Sequence, residues 1–185
     1  MRLGDHLATL RRLAGAGVYP PEFAWMLTLP VRRLILSPAT LADRLELAPE
    51  DRVLEIGAGP GYFSVEVARR LPRGHLTVLD LQPEMLARAR ERLSRAGVEN
   101  VSFITSDAAA LPFADASFDV VFLVTVLGEV AERERAASEI ARVTKAAGRL
   151  SVTEAVGDPD RLSSRALAEL LGPDRKSTRL NSSHT

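Results

Sequence analysis

Val53-Leu54-Glu55-Ile56-Gly57-Ala58-Gly59-Pro60-Gly61-Tyr62-Phe63-Ser64 runs a short apolar segment into three alternating glycines and then into a helical pattern. A strand that turns through glycines into a helix is the build of a nucleotide-cofactor site. Glycine lacks a Cβ, so the chain can turn tightly and bring backbone N–H groups against a ligand that a side chain would hold off. The spacing then separates cofactor types. Dinucleotide binding asks for G-x-G-x-x-G, which requires glycine at position 62, and that position is Tyr62.

Working downstream, the strand Leu76-Thr77-Val78-Leu79-Asp80 ends in a carboxylate about one strand-helix-strand unit after the glycines. An acidic side chain there can accept hydrogen bonds from both hydroxyls of a ribose. The next strand, Val101-Ser102-Phe103-Ile104-Thr105, leads to a second carboxylate, Asp107, followed by the small Ala108. Leu111-Pro112-Phe113 and Ser117-Phe118-Asp119 then precede the strand Val120-Val121-Phe122-Leu123-Val124. In this order, over roughly residues 38 to 172, the set resembles the class I S-adenosylmethionine-dependent methyltransferases, and most of all their ubiquinone/menaquinone-biosynthesis (methyltransferase type 11) branch. The ordered set is far more specific than any one motif.

The resemblance implies the donor S-adenosylmethionine, leaving as S-adenosylhomocysteine, and a small-molecule methyl acceptor; with the glycine loop and Asp80 in place and no plausible cluster of metal ligands in the sequence, the donor is expected to bind without a metal. Gly57 and Gly59 would face the amino acid part of the donor, with Gly61 completing the loop. Glu55 would hold that loop or reach the ammonium group through water. Asp80 would clasp the ribose, Leu81 would lie on the adenine face, and Asp107 with Ala108 would follow its edge. Leu123 would border the sulfonium region. Plainer roles stand beside these: a tight turn for the glycines, a partner of the next helix's N-terminus for Asp80, and an ordinary turn for Ser106-Asp107. After the fourth strand the chain reads Thr125-Val126-Leu127-Gly128-Glu129, where Glu129 is the only ionisable group and the one candidate for a catalytic base or acceptor-orienting residue. Two readings compete with the methyltransferase: a pseudo-enzyme that binds the donor as a structural or sensing module, and a nucleotide-dependent oxidoreductase, which Tyr62 disfavours.

Short apolar strands alternating with helical patterns predict an α/β fold, a doubly wound and mostly parallel sheet. Strands are expected near 53–56, 76–80, 101–105, 119–124 and 149–154. One helix carries Phe63, Val67 and Leu71 inward, and a second opens at Pro83, buries Leu86, Ala89 and Leu93, and stops at Gly97. A third is expected from about Ala131 to Lys145 with a turn at Gly148, and a fourth from about Leu162 to Leu171. Arg88, Arg92 and Arg95 share a helix face, yet Glu84 and Glu91 precede Arg88 and Arg95 by four residues, the order expected of a solvated face.

Formal net charge is zero, so nothing suggests a nucleic-acid footprint. There is no cysteine, which suits a cytoplasmic setting and counts against the arsenite-type relatives that work through cysteines. Residues 18–36 are apolar but interrupted by Pro20, Pro21, Glu22, Pro30, Arg32 and Arg33, too short-runned for a membrane span of roughly 20 residues. Residues 1–37 are expected to form a helical cap over residues 38–173, with Tyr19 and Phe23 near the donor; peripheral membrane contact through this helix is a further option. In the last segment, 174–185, the composition changes abruptly, and it resembles the translation of a common short-read sequencing adapter. It is expected to be non-native, with the sheet truncated after its fifth strand.

Overall fold

The computed structural model describes residues 37–154 and 162–172. The expected N-terminal cap, including Tyr19 and Phe23, and the expected foreign tail lie outside the described residues. Within them the elements are α1 (Pro38–Arg44), β1 (Arg52–Ile56), α2 (Ser64–Arg69), β2 (His75–Asp80), α3 (Pro83–Arg95), β3 (Val101–Thr105), β4 (Phe118–Val124), α4 (Arg133–Val143), β5 (Thr144–Thr153) and α5 (Ser164–Leu171).

The five strands form one sheet in the order β3-β2-β1-β4-β5, and every pairing is parallel. Parallel strands need helices on both faces, which is why β4 is apolar at every position but Asp119. One face of the sheet, with Leu54, Val121, Leu123 and Val152, packs on Ala136, Ile140 and Val143 of α4 and Leu167 and Leu171 of α5. The other, with Val53, Val78, Val120 and Phe122, packs on Leu41 of α1, Val67 of α2, and Leu86 and Ala89 of α3. Each fully buried Leu, Val or Ile contributes about 1.5–3 kcal/mol.

Helix α3 starts and stops as its residues dictate. Pro83 occupies the first turn, and Gly97 follows the end at φ 68°, where a glycine is free of Cβ strain. Glu91 and Arg95 form the expected i,i+4 ion pair at 2.5 Å. His75 is exposed and bonds Ser102 Oγ at 3.0 Å, a surface contact.

The third expected helix is corrected at its end. α4 stops at Val143, and Thr144 is already extended, its Oγ1 donating to the Ile140 carbonyl at 2.6 Å. The segment Thr144–Gly148 is strand, with a register shift against Phe118 and Val120. Gly148 lies so close to the Asp119 carbonyl that a Cβ would meet it at 3.0 Å. Lys145 closes the irregularity by donating to Asp119 Oδ1 at 2.7 Å.

The loop between β3 and β4 is fixed by one arginine. Arg142 of α4 donates to the Leu111 carbonyl at 3.1 Å, the Phe113 carbonyl at 2.7 Å and Asp115 at 2.8 Å, while both oxygens of Glu139 hold its guanidinium. The run Leu111–Asp115 is thereby tied to α4.

Candidate functional site

Chain order leaves β3 and returns to pair β4 with β1, so the sheet changes direction between β1 and β4. In open α/β sheets the ligand crevice lies at that switch, beyond the carboxyl ends of the strands. A cleft of about 250 Å³ opens there, walled by the loops after β1, β2, β3 and β4.

The glycine loop leaves β1 with Gly57, Gly59 and Gly61 all at positive φ, 67°, 55° and 72°. At Gly57 the need is also steric, because an added Cβ would stand 2.4 Å from Val126 Cγ2. Gly61 has a different reason: its Cβ would meet Ala89 Cβ at 3.0 Å, so the third glycine lets the loop pack against α3. Gly61 is absent from the cleft lining, whereas Gly57, Ala58, Gly59 and Pro60 are all in it. Four of the loop's N–H groups have acceptors within the protein: Gly57 and Ala58 donate to the Leu79 carbonyl at 2.8 and 3.2 Å, Gly59 to Asp80 Oδ2 at 2.8 Å, and Gly61 to the Ala58 carbonyl at 3.1 Å.

Glu55, 3% exposed, accepts a 2.5 Å hydrogen bond from Ser64 Oγ at the start of α2. It therefore clamps both ends of the glycine loop. Burial pushes its pKa up to about 8, against the lowering effect of the Ser64 bond, and the Asp80 charge adds to the rise. A raised folded pKa means that the native state keeps a proton which the unfolded chain has released. Stability from this group is full below pH about 4.5 and is lost as pH rises through about 8. Glu55→Gln should accordingly flatten the fall in unfolding free energy between pH 5 and pH 9, as measured by urea denaturation. Equal slopes in the two proteins would remove Glu55 from this account.

Asp80 ends β2 at 7% exposure, with Oδ2 held by the Gly59 N–H and Oδ1 by the Gln82 N–H at 2.9 Å. The plainer role, partner of the next helix's start, is thus real, since Gln82 is the N-cap of α3. The Leu81 N–H also acts on this carboxylate, which with about four lone-pair sites still has capacity for a hydroxyl. Burial raises the Asp80 pKa, and these N–H groups oppose the rise. Leu81, beside it on the cleft wall, is 49% exposed and is the one large hydrophobic so exposed among the described residues. Asp107 accepts the Ala109 N–H at 2.8 Å in a turn, and Asp107 and Ala108 both line the cleft.

On the β4 side the lining includes Val124, Thr125, Val126, Glu129, Val130 and Ala131, facing Tyr62 and Phe63. Leu123 is elsewhere: it pairs with Ile56 and is 1% exposed in the core under α4, while its neighbour Val124 borders the cleft. Sequence reasoning also missed Thr125, whose φ of 55° is rare for a β-branched residue. The Thr125 N–H donates to the Thr153 carbonyl at 2.8 Å, so β5 holds the turn that carries Val126 over Gly57. Tyr62, noted only for ruling out a dinucleotide motif, lines the cleft and meets Phe63 edge to face at 4.8 Å.

Comparisons with known proteins converge on one family. A family model described as "Methyltransferase domain" matches residues 53–148. The chain is 38% identical over 111 residues to a ubiquinone/menaquinone biosynthesis C-methyltransferase of Roseobacter denitrificans, covering 58% of this chain and 44% of that protein. It is 33% identical over 111 residues to an arsenite methyltransferase of Halobacterium salinarum, covering 60% of this chain and 28% of that protein. The chain thus spans less than half the length of either relative. Among solved structures, a SAM-dependent methyltransferase from Aquifex aeolicus superposes with a TM-score of 0.76 at 21% identity, over 83% of this chain and 87% of that one. The [4+2]-cyclase SpnF superposes with a TM-score of 0.55 at 31% identity, over 58% of this chain and 40% of its own.

Proposed function

Because the chain belongs to the methyltransferase-domain family, whose donor is S-adenosylmethionine, we propose that it transfers the donor's methyl group to a small, largely apolar acceptor. The observation that carries this reading is the convergence of Gly57 and Gly59, Asp80 and Leu81, and Asp107 and Ala108 from three successive loops on one cleft wall. When bound, the donor supplies an already electrophilic methyl on its sulfonium. Gly57 and Gly59 admit its amino acid part, and Glu55 keeps their loop closed through Ser64. Asp80 accepts from the ribose hydroxyls, Leu81 covers the adenine face, and Asp107 with Ala108 borders its edge. Gly61 serves the loop indirectly, through α3, and Val124 takes the bordering place expected for Leu123. Little further chemistry is asked of the side chains beyond alignment and exclusion of water. Glu129 is the one carboxylate on the acceptor side placed to orient a hydroxyl or amine or to accept its proton.

The Roseobacter relative's name specifies methylation at carbon in quinone biosynthesis, and the apolar β4 wall here suits an acceptor of comparable character. The arsenite relative shares the matched stretch, but this chain has no cysteine to hold arsenic as a thiolate. A second reading is favoured by the superposition with the [4+2]-cyclase SpnF: a domain that binds the donor without using its methyl. Incubating the natively purified protein with methyl-labelled donor and a small-molecule extract separates the two. Label should appear in an extractable apolar product. Label that stays on a bound donor would support the second reading, and label in nucleic acid would contradict both.

A further inference from the structure

The described lining of the cleft carries hydroxyl groups on Tyr62, Ser106 and Thr125. Two of these already donate within the chain, Ser106 Oγ to the Ala110 carbonyl at 2.9 Å and Thr125 Oγ1 to the Val124 carbonyl at 2.7 Å. The Tyr62 hydroxyl is different: its oxygen is buried and has no hydrogen-bond partner, on a residue 9% exposed. Leaving a buried hydroxyl unpaired is costly, and most such groups in folded proteins find a partner. Packing does not ask for the hydroxyl either. The ring meets Phe63 edge to face at 4.8 Å and joins the apolar patch of Leu41, Val67 and Phe122, where a phenylalanine would fill the same space with no polar atom to satisfy. We propose that the Tyr62 hydroxyl binds the methyl donor, donating a hydrogen bond to the carboxylate of its amino acid part. This rests on the donor-binding reading above.

The amino acid part brings an ammonium, which needs acceptors, and a carboxylate, which needs donors. Carbonyls and carboxylates of the wall can supply the acceptors; donors are scarce. The N–H groups of Gly57, Ala58, Gly59 and Gly61 are engaged with the Leu79 carbonyl, Asp80 and the Ala58 carbonyl, Pro60 has no N–H, and the described lining holds no arginine, lysine or histidine. A carboxylate that enters beside Gly57 and Gly59 gives up water and must receive hydrogen bonds in its place. Tyr62 follows Gly59 by three residues and borders the same cleft, with an O–H that donates to nothing in the protein. A phenol O–H on a carboxylate makes a short, charge-assisted bond of the stronger kind. Because packing already fixes the ring, little side-chain freedom is left to lose when the ligand arrives.

Calorimetry on the full chain tests this, with S-adenosylhomocysteine and with its decarboxylated analogue, which keeps the amine, the thioether and the adenosine. Tyr62→Phe should bind S-adenosylhomocysteine at least about tenfold more weakly than the wild type, and should bind the analogue as the wild type does. Its urea midpoint should be unchanged or higher, since no internal hydrogen bond is lost. Ser151→Ala is the control: that Oγ is also buried without a partner, but Ser151 is outside the cleft lining, so its affinity for S-adenosylhomocysteine should stay at the wild-type value. Unchanged affinity in Tyr62→Phe, an equal loss with both ligands, or an analogue that the wild type binds as tightly as S-adenosylhomocysteine overturns the proposal. A lowered midpoint in Tyr62→Phe overturns it too, by assigning the hydroxyl to the fold, as does a matching loss of affinity in Ser151→Ala. Failure of S-adenosylhomocysteine to bind the wild type would instead overturn the donor reading itself, and that titration is read first.

Discussion

Gly57→Ala should lose most of its affinity for S-adenosylhomocysteine, by roughly 30-fold or more, and should be destabilised by about 2–5 kcal/mol. Two costs combine. A left-handed backbone costs an L-residue about 1–2 kcal/mol, and forcing a methyl into a filled space costs about 1–3 kcal/mol. The space is filled because the new Cβ would lie 2.4 Å from Val126 Cγ2, and a β-branched side chain has few rotamers with which to yield. Relief must come from moving the glycine loop or the turn at Thr125, and both line the cleft. Gly97→Ala is the matched control: its φ of 68° is nearly the same, but nothing lies within 4 Å of the added Cβ. It should show only the backbone cost and bind normally. Urea denaturation and calorimetry on both variants decide the matter, and an unchanged dissociation constant in Gly57→Ala would take the glycine loop out of the site.

Asp80→Ala should weaken S-adenosylhomocysteine binding by about 1.5–3 kcal/mol, the range for hydrogen bonds to a charged group. The carboxylate joins the two halves of the cleft wall, since Oδ2 holds Gly59 and Oδ1 holds Gln82. Asp80→Asn separates its roles. The amide can accept one of those N–H groups but turns a donor toward the other, so part of the loss should persist although the volume is kept. Full affinity in Asp80→Asn would assign Asp80 to turn formation alone.

How much of this was legible before the structure depended on what each residue's pattern could encode. The glycine spacing, Asp80 at a strand end and the Pro83 to Gly97 helix are written in local chemistry, and the sheet carries them where they were expected. Leu123 was a different case. Both faces of β4 are buried, so Val120 to Val124 is apolar throughout, and no alternation revealed which residue faces the crevice. Gly61 looked like its two neighbours because its reason for being glycine, the approach of Ala89, is a contact across 28 positions of sequence. The end of α4 was hidden by Ala146 and Ala147, good helix formers that here lie in the irregular stretch of β5 between the Phe118–Thr144 and Val120–Arg149 pairs. That the Gly57, Ala58 and Gly59 N–H groups already have acceptors was not legible at all, since those acceptors, Leu79 and Asp80, lie on β2.

The central claim is that this cleft holds the methyl donor through the glycine loop and Asp80. Calorimetric titration of S-adenosylhomocysteine into the full chain, with and without a chelator, tests it most directly. The account predicts one molecule bound per chain, heat unaffected by chelator, and an affinity that falls in Asp80→Ala. Absence of binding heat, or binding that disappears with the chelator, would contradict it.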